Sequence, residues 1–229
     1  NIISSVDFIF IILMGGLWGS FANVCIYRIP LDRGVALGRS YCTKCNKQIA
    51  WYDNIPIFSY LLIQGKCRKC KKKISFQYPL VELLNILAFT TIYFFYGVTI
   101  TTVLLITLAL TFLIIFFIDL EHFIIPNSLT FPMMILGLAK SFDPNLNSLF
   151  PNYINSIIGG FFGYGIIWMI IFFYKVFRNK EGMGLGDAKL LAVIGFWFGW
   201  ISVPFILFSS SVVALLSVMP SLLNKSKRL

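Results

Sequence analysis

A chain of 229 residues with 58% hydrophobic and only 12% charged side chains cannot hide its apolar surface in one water-soluble core. Nineteen Lys and Arg against nine Asp and Glu give a formal net charge of +10, with a single His. Several apolar runs reach the roughly 20 residues that cross a bilayer core, which excludes an ordinary soluble domain and sets the class as an all-α polytopic membrane protein.

Seven candidate spans follow in chain order: Phe8 to Tyr27, Leu80 to Tyr96, Ile100 to Ile118, Ile124 to Leu138, Ile154 to Phe177, Ala188 to Val203 and Phe205 to Pro220. The fourth is short and contains Pro132, which leaves its depth and shape open. Residues 1–7 carry no basic side chain, and the small-residue patch Gly15 to Ala22 lies inside a continuing span, so no cleavable signal peptide is expected. The first residue is Asn, so the natural N-terminus is expected to be missing or replaced. The divisions are a first transmembrane helix at 1–27, a cytoplasmic tetracysteine domain at 28–77, a transmembrane core at 78–222 and a basic cytoplasmic tail at 223–229. No internal repeat of useful length and no low-complexity linker interrupts this plan.

Loop charge orients the spans, because Lys and Arg accumulate on the cytoplasmic side of short loops. Eleven basic residues lie between the first two spans, from Arg28 to Lys73. With that segment cytoplasmic, seven crossings place Lys175, Arg178, Lys180, Lys189, Lys225, Lys227 and Arg228 on the same side and leave only Lys140 outside. Removing one span would invert the later loops. Loop asymmetry thus accounts for nearly all of the net charge, and no nucleic-acid partner is expected.

Two carboxylates then share a face. Asp119 ends the third span in I-D-L-E-H-F-I-I-P-N, and Asp187 begins the sixth in G-M-G-L-G-D-A-K-L. An ionisable group at a span edge is costly unless it is paired or used. Two carboxylates held close share a proton, so one activates water while the other protonates a carbonyl oxygen or leaving amine. That is aspartic-protease chemistry, and Gly182, Gly184 and Gly186 suit it by allowing a tight turn and close substrate approach. The alternative for Asp187 taken singly is a helix cap that complements the dipole.

The pairs Cys42-x-x-Cys45 and Cys67-x-x-Cys70, 21 residues apart, supply four thiolates from two turns, as a tetrahedral Zn²⁺ site requires. A cytoplasmic location disfavours structural disulfides. Labile disulfides, four free thiols, or a zinc ribbon binding nucleic acid are the alternatives, the last poorly discriminated because the same basic residues satisfy the loop-charge rule. Cys25 inside the first span reads as a small packing residue.

These blocks carry a resemblance. G-S-F-A-N-V-C-I-Y-R-I-P (Gly19 to Pro30), the two Cys pairs, W-Y-D-N-I-P-I-F-S-Y (Trp51 to Tyr60), Y-P-L-V-E-L-L (Tyr78 to Leu84) and the two aspartate motifs occur in order from about residue 15 to about 220. The series closely resembles the bacterial prepilin peptidases, the type IV leader peptidases. The resemblance implies a membrane-embedded aspartic endopeptidase of the bacterial inner membrane. It would remove the basic leader after glycine from type IV prepilins and prepilin-like pseudopilins at the cytoplasmic face, with Asp119 and Asp187 as catalytic pair and residues 78–222 as peptidase core. It also implies N-methylation of the new amino terminus with S-adenosylmethionine, although no Gly-rich phosphate-type loop follows a strand to mark a donor pocket. Two departures stand out. Relatives usually continue beyond the equivalent of Leu229 with another apolar segment, and Asn127 stands where the family often has an ionisable Asp, which excludes it from the pair.

Weaker readings attach to other residues. Glu82 near the start of the second span pairs with a basic loop residue, holds the substrate's new amine, or snorkels to the interface. Lys189, two residues after Asp187, points to a different helix face and tunes the aspartate's field or anchors the interface. His122 reads as loop structure, and Asp53 and Asn54 as turn formers before Pro56. The lipid bilayer and the pilin substrates are the expected partners. Competing functions are a peptidase without transferase activity, a proton-coupled transporter, whose sites would sit near midplane in broken helices, and a membrane-tethered zinc adaptor needing neither aspartate.

Overall fold

The computed structural model describes residues 5–35, 40–42, 44–45, 47–178 and 184–226. The chain divides into two compact units, Asn1–Pro126 and Asn127–Leu229. Six of the seven expected spans each fall on one helix, and the sixth overlaps two.

In the first unit α1 (Ser5–Arg28) runs into a 3-10 turn at Ile29–Leu31. A cysteine-bearing segment follows, with a 3-10 turn at Trp51–Asn54 and the five-residue α2 (Phe58–Leu62). The hydrophobic α3 (Gln77–Tyr96) and α4 (Ile100–His122) complete the unit. Gly97, in the left-handed region at φ 62°, ends α3, and the Thr99 hydroxyl accepts the Thr102 N–H to cap α4. α1 packs on α3, and both touch α4.

The α1–α3 contact is backbone-close because of glycine. A Cβ at Gly19 would lie 2.7 Å from Glu82 Cα, and one at Gly15, a helical turn earlier, 2.9 Å from Ile86 Cα. In lipid, where apolar burial does not drive helix association, such small residues allow dispersion and polar contacts to do so. Asn85, wholly buried, donates from Nδ2 to the Gly15 carbonyl at 2.7 Å, and Asn23 donates to the Tyr78 carbonyl at 3.1 Å.

The second unit contains α5 (Asn127–Lys140), α6 (Tyr153–Arg178), α7 (Leu185–Phe198) and α8 (Ser202–Ser226). Its tightest seam joins α6 to α7, where a Cβ on Gly159 or Gly195 would collide with the other's carbonyl oxygen, and one on Gly163 would lie 2.6 Å from Leu191 O. Trp197 is fully buried and donates its indole N–H to the Met133 carbonyl at 2.9 Å, tying α7 to α5. Ser156 donates to the Phe196 carbonyl at 2.6 Å, tying α6 to α7. α8 leaves most of its large apolar side chains exposed, among them Phe205, Phe208 and Leu215, as a lipid-facing helix would.

Five helices are long and apolar enough to cross a membrane: Val6–Leu31, Gln77–Tyr96, Ile100–His122, Tyr153–Arg178 and Ser202–Met219. α5 and α7 have 14 residues each, about 21 Å of helix at about 1.5 Å per residue against a hydrocarbon core of about 30 Å. The sixth span also ends earlier than its expected Val203, because Gly199 at φ 81° stops α7 and Val203 belongs to α8. Lys140, the exception in the loop-charge count, is buried, with its ammonium 4.1 Å from the Phe150 ring centroid and 5.4 Å from that of Trp197. A cation held on aromatic faces inside the fold does not act as a loop charge.

Candidate active site and metal centre

Asp119 lies in the last turn of α4, exposed. Its backbone carbonyl accepts the Phe123 N–H at 2.9 Å, and Phe123 adopts the left-handed conformation at φ 55°, which turns the chain out of the helix toward Pro126. Asp187 lies in the first turn of α7, half-buried, where the helix dipole favours an anionic side chain. The N-cap position itself belongs to Gly184, which makes no side-chain cap.

Of the three glycines, Gly184 is the one whose backbone angles bear on the turn expected there. Gly184 has φ −80° and ψ 149°, an extended conformation open to any residue. An added Cβ there would come no nearer than 3.8 Å to a neighbour, Gly186 N. Among the described residues, packing therefore does not demand glycine at this position. Gly186 sits half-buried within the same first turn. Gly182 lies outside the described residues.

Lys189 and Asn127 meet. The Lys189 ammonium donates to Asn127 Oδ1 at 2.7 Å and lies 5.7 Å from the Phe131 ring centroid, so it fastens the start of α7 to the start of α5. Glu82 is buried on α3, where Oε2 accepts the Ile57 N–H at 2.7 Å and the carboxyl also bonds the Ser20 side chain. Neither of the two salt bridges found among the described residues involves it. The sequence reading missed a function of Asp53, whose Oδ1 accepts Arg68 Nε–H at 2.7 Å and joins the Trp51–Asn54 turn to the second cysteine pair. Its proximity to Pro56 suggested only a turn. His122 stands 3.9 Å from the Glu121 carboxylate.

The four cysteines sit in two matching turns. In the first, Cys42 N–H donates to Lys47 O and Ile49 N–H to Ser40 O, closing the bridge Tyr41 to Gln48. In the second, Cys67 N–H donates to Lys72 O and Ile74 N–H to Gly65 O, closing the bridge Lys66 to Lys73. The ligand atoms of Cys42, Cys45, Cys67 and Cys70 all lie within 4.8 Å of one another, and Cys42 Sγ is 3.9 Å from Cys70 Sγ. Metal–sulfur bonds of about 2.3 Å in a tetrahedron place sulfurs about 3.8 Å apart, so the donor set fits a closed Zn²⁺ site. All five cysteines are free thiols, Cys25 being buried in α1. The Cys70 backbone N–H, helped by that of Lys69, holds the Cys67 thiol down to about 7. The Lys47 backbone N–H favours the Cys45 thiolate, but desolvation and the adjacent Cys42 and Cys70 sulfurs outweigh it and push that thiol up to about 11.

Comparisons with known proteins agree with this anatomy. Residues 13–96 match the family described as Bacterial Peptidase A24 N-terminal domain, and residues 105–219 match the Type IV leader peptidase family. A protein of Neisseria gonorrhoeae named prepilin leader peptidase/N-methyltransferase is 35% identical over 90% of this chain and 79% of its own length. Proteins of the same name from Pseudomonas aeruginosa and Aeromonas hydrophila are 36% and 34% identical, each over 90% of this chain and 78% of their own length. No solved structure matches the chain. Carried along nearly all of its length by these relatives and by both family matches, the chain belongs to the type IV leader peptidase family.

Proposed function

We propose that this protein is an aspartic endopeptidase of the bacterial inner membrane that cuts the basic leader, after its terminal glycine, from type IV prepilins and prepilin-like pseudopilins. The observation that carries the reading is the placement of two carboxylates at helix ends, Asp119 closing α4 and Asp187 opening α7, both inside the region matching the peptidase family. One carboxylate takes a proton from water as it attacks the scissile carbonyl, and the other gives a proton to the leaving amine. Gly184, extended and without a side chain, lets a substrate strand approach beside Asp187. Loop charge puts this chemistry at the cytoplasmic face, where a basic leader also resides.

The relatives' shared name supports a second activity, N-methylation of the newly freed amino terminus with S-adenosylmethionine as donor. The tetracysteine turns hold Zn²⁺ through Cys42, Cys45, Cys67 and Cys70 as a structural site, since four thiolates leave no vacant position for chemistry. Lys189 positions the Asp187 turn through Asn127.

Reconstitution with a model prepilin tests the dyad: leader removal is measured for the parent, Asp119→Asn and Asp187→Asn. Cleavage at parental rate by either variant sinks the assignment. Transfer of label from S-adenosylmethionine to mature pilin tests the second activity, which fails if a cleaving enzyme transfers none.

A further inference from the structure

The stretch between the two cysteine pairs leaves their level and runs along the helices. Pro56 packs on α1 at Gly16, where an added Cβ would lie 3.2 Å from Pro56 Cβ and 3.6 Å from Ile86 Cδ1 of α3. Gly16 precedes Arg28, the last residue of α1, by twelve positions, and Ile86 follows Gln77, the first residue of α3, by nine. At about 1.5 Å per residue, Pro56 therefore stands about 14–18 Å from the helix ends that flank the cysteine turns. That is roughly the middle of a hydrocarbon core about 30 Å thick.

Backbone at such depth needs its polar groups satisfied inside the protein. Pro56, at the tip, has no N–H to satisfy. Ile57 N–H donates to the buried Glu82 carboxylate at 2.7 Å. Phe58 N–H donates to Pro56 O at 2.6 Å, Ser59 N–H to Ile55 O at 3.1 Å and Leu61 N–H to Ile57 O at 3.1 Å. Ile57 itself, at φ 60° and ψ −52°, is the strained centre of a γ-turn that reverses the chain. A carboxylate within α3 thus gains a use: it takes the donor that the turn directs at the helices.

From this tip α2 climbs back with two unlike faces. Phe58, Leu61 and Leu62, three and four positions apart on one side of the helix, are 70%, 66% and 79% exposed. Ser59, Tyr60 and Ile63 instead line a cavity of about 780 Å³, which they share with Glu82. Lys47 and Lys72 also line it, and their ammonium groups hold water there.

We propose that residues 55–63 are a re-entrant membrane segment: they dip into the leaflet on the cysteine side, lay Phe58, Leu61 and Leu62 against lipid acyl chains, and wall those chains off from a water-filled cavity. Acyl chains are the occupant that depth selects, because large apolar side chains exposed beside the middle of α1 and α3 stand where the bilayer is hydrocarbon. The inference needs only that α1 and α3 cross a membrane, and it stands whether or not the peptidase and transferase readings do. The segment 28–77, expected to lie in the cytoplasm, then gives up residues 55–63 to the bilayer.

The test places a spin label on p-acetylphenylalanine, which leaves the four thiols untouched, at position 58, 62 or 66 of the full chain in phospholipid nanodiscs. Collisions with oxygen report acyl chains, and collisions with a water-soluble nickel chelate report water. At Phe58 and Leu62 nickel contact is expected to be lost and oxygen contact to dominate, with the reverse at the exposed Lys66 on the second cysteine turn. Nickel contact at positions 58 and 62 equal to that at 66 overturns the proposal. Loss of oxygen contact at both positions when a model prepilin is added makes the face a substrate groove and overturns lipid as its occupant. A second measurement uses the unaltered chain, so it does not depend on whether a labelled variant folds. Lipids carrying a diazirine in the acyl chain are photolysed in the same nanodiscs, and adducts are mapped by mass spectrometry. Adducts are expected on Phe58, Leu61 or Leu62, and adducts found on α1, α3 and α4 with none on residues 55–63 overturn the assignment.

Discussion

The two units position reactive groups by opposite means. Around the four cysteines, order is local: paired backbone hydrogen bonds close each turn, and the four partly buried sulfurs converge. Around Asp187, order is remote: the aspartate sits on an open first turn, and the helix beneath is clamped along its length by Gly159 against Gly195, by Ser156 and by Trp197. A turn that a metal would staple depends on its four thiols, whereas a helix-borne carboxylate depends on packing a turn or more away. Damage should therefore spread differently in the two units.

The largest effect is expected at the carboxylates. Asp119→Asn and Asp187→Asn should each lower leader cleavage by about 10³-fold or more, since general acid–base assistance alone contributes about 10²–10⁴, while the thermal melt stays parental. Next comes Gly195→Ala. Its methyl meets the Gly159 carbonyl, and overpacking of this kind costs about 1–3 kcal/mol, so the melting temperature and cleavage should fall together. Parental activity and melting in this variant would break the contrast drawn between the units.

In the other unit, Cys67→Ser should abolish stoichiometric zinc, read by metal analysis of the purified chain, and parental zinc content would refute the site. Zinc binding should also weaken as pH falls. Thiolates are the ligands, so protons compete, and in the metal-free protein Cys67 ionises near 7 while Cys45 stays protonated until about 11. Titration at pH 6 and pH 8 should show tighter binding at the higher pH, with proton release on binding. The smallest effect is expected for Lys189→Met, which removes one exposed hydrogen bond to Asn127 worth about 1 kcal/mol. Cleavage should drop by about fivefold or less, and a loss as large as that of the aspartates would make Lys189 part of the chemistry.

Much of this was legible in the chain. Hydrophobic run length is a local property, so each expected span falls on helix, although two of those helices are shorter than a bilayer core and a glycine at positive φ moved the boundary between the sixth and seventh. The cysteine pairs were legible because metal-ligand spacing is local too. The chemistry of Asp53 and Glu82 was not, because their partners, Arg68 and the Ile57 N–H, lie 15 and 25 positions away and nothing in the spacing selects them. The expected tight turn at Gly184 gave way to an extended N-cap.

By itself the sequence determined the solvent, the helical class, the pair of carboxylates at helix ends and the four-thiol donor set, because hydropathy, charge and motif spacing are written along the chain. Only the tertiary structure decided that four sulfurs converge within bonding reach of one ion, that Asn127 takes the Lys189 ammonium, and that buried Glu82 takes the Ile57 N–H. Those outcomes depend on which helix faces meet, and backbone approach at Gly19 and Gly195 sets that geometry in three dimensions.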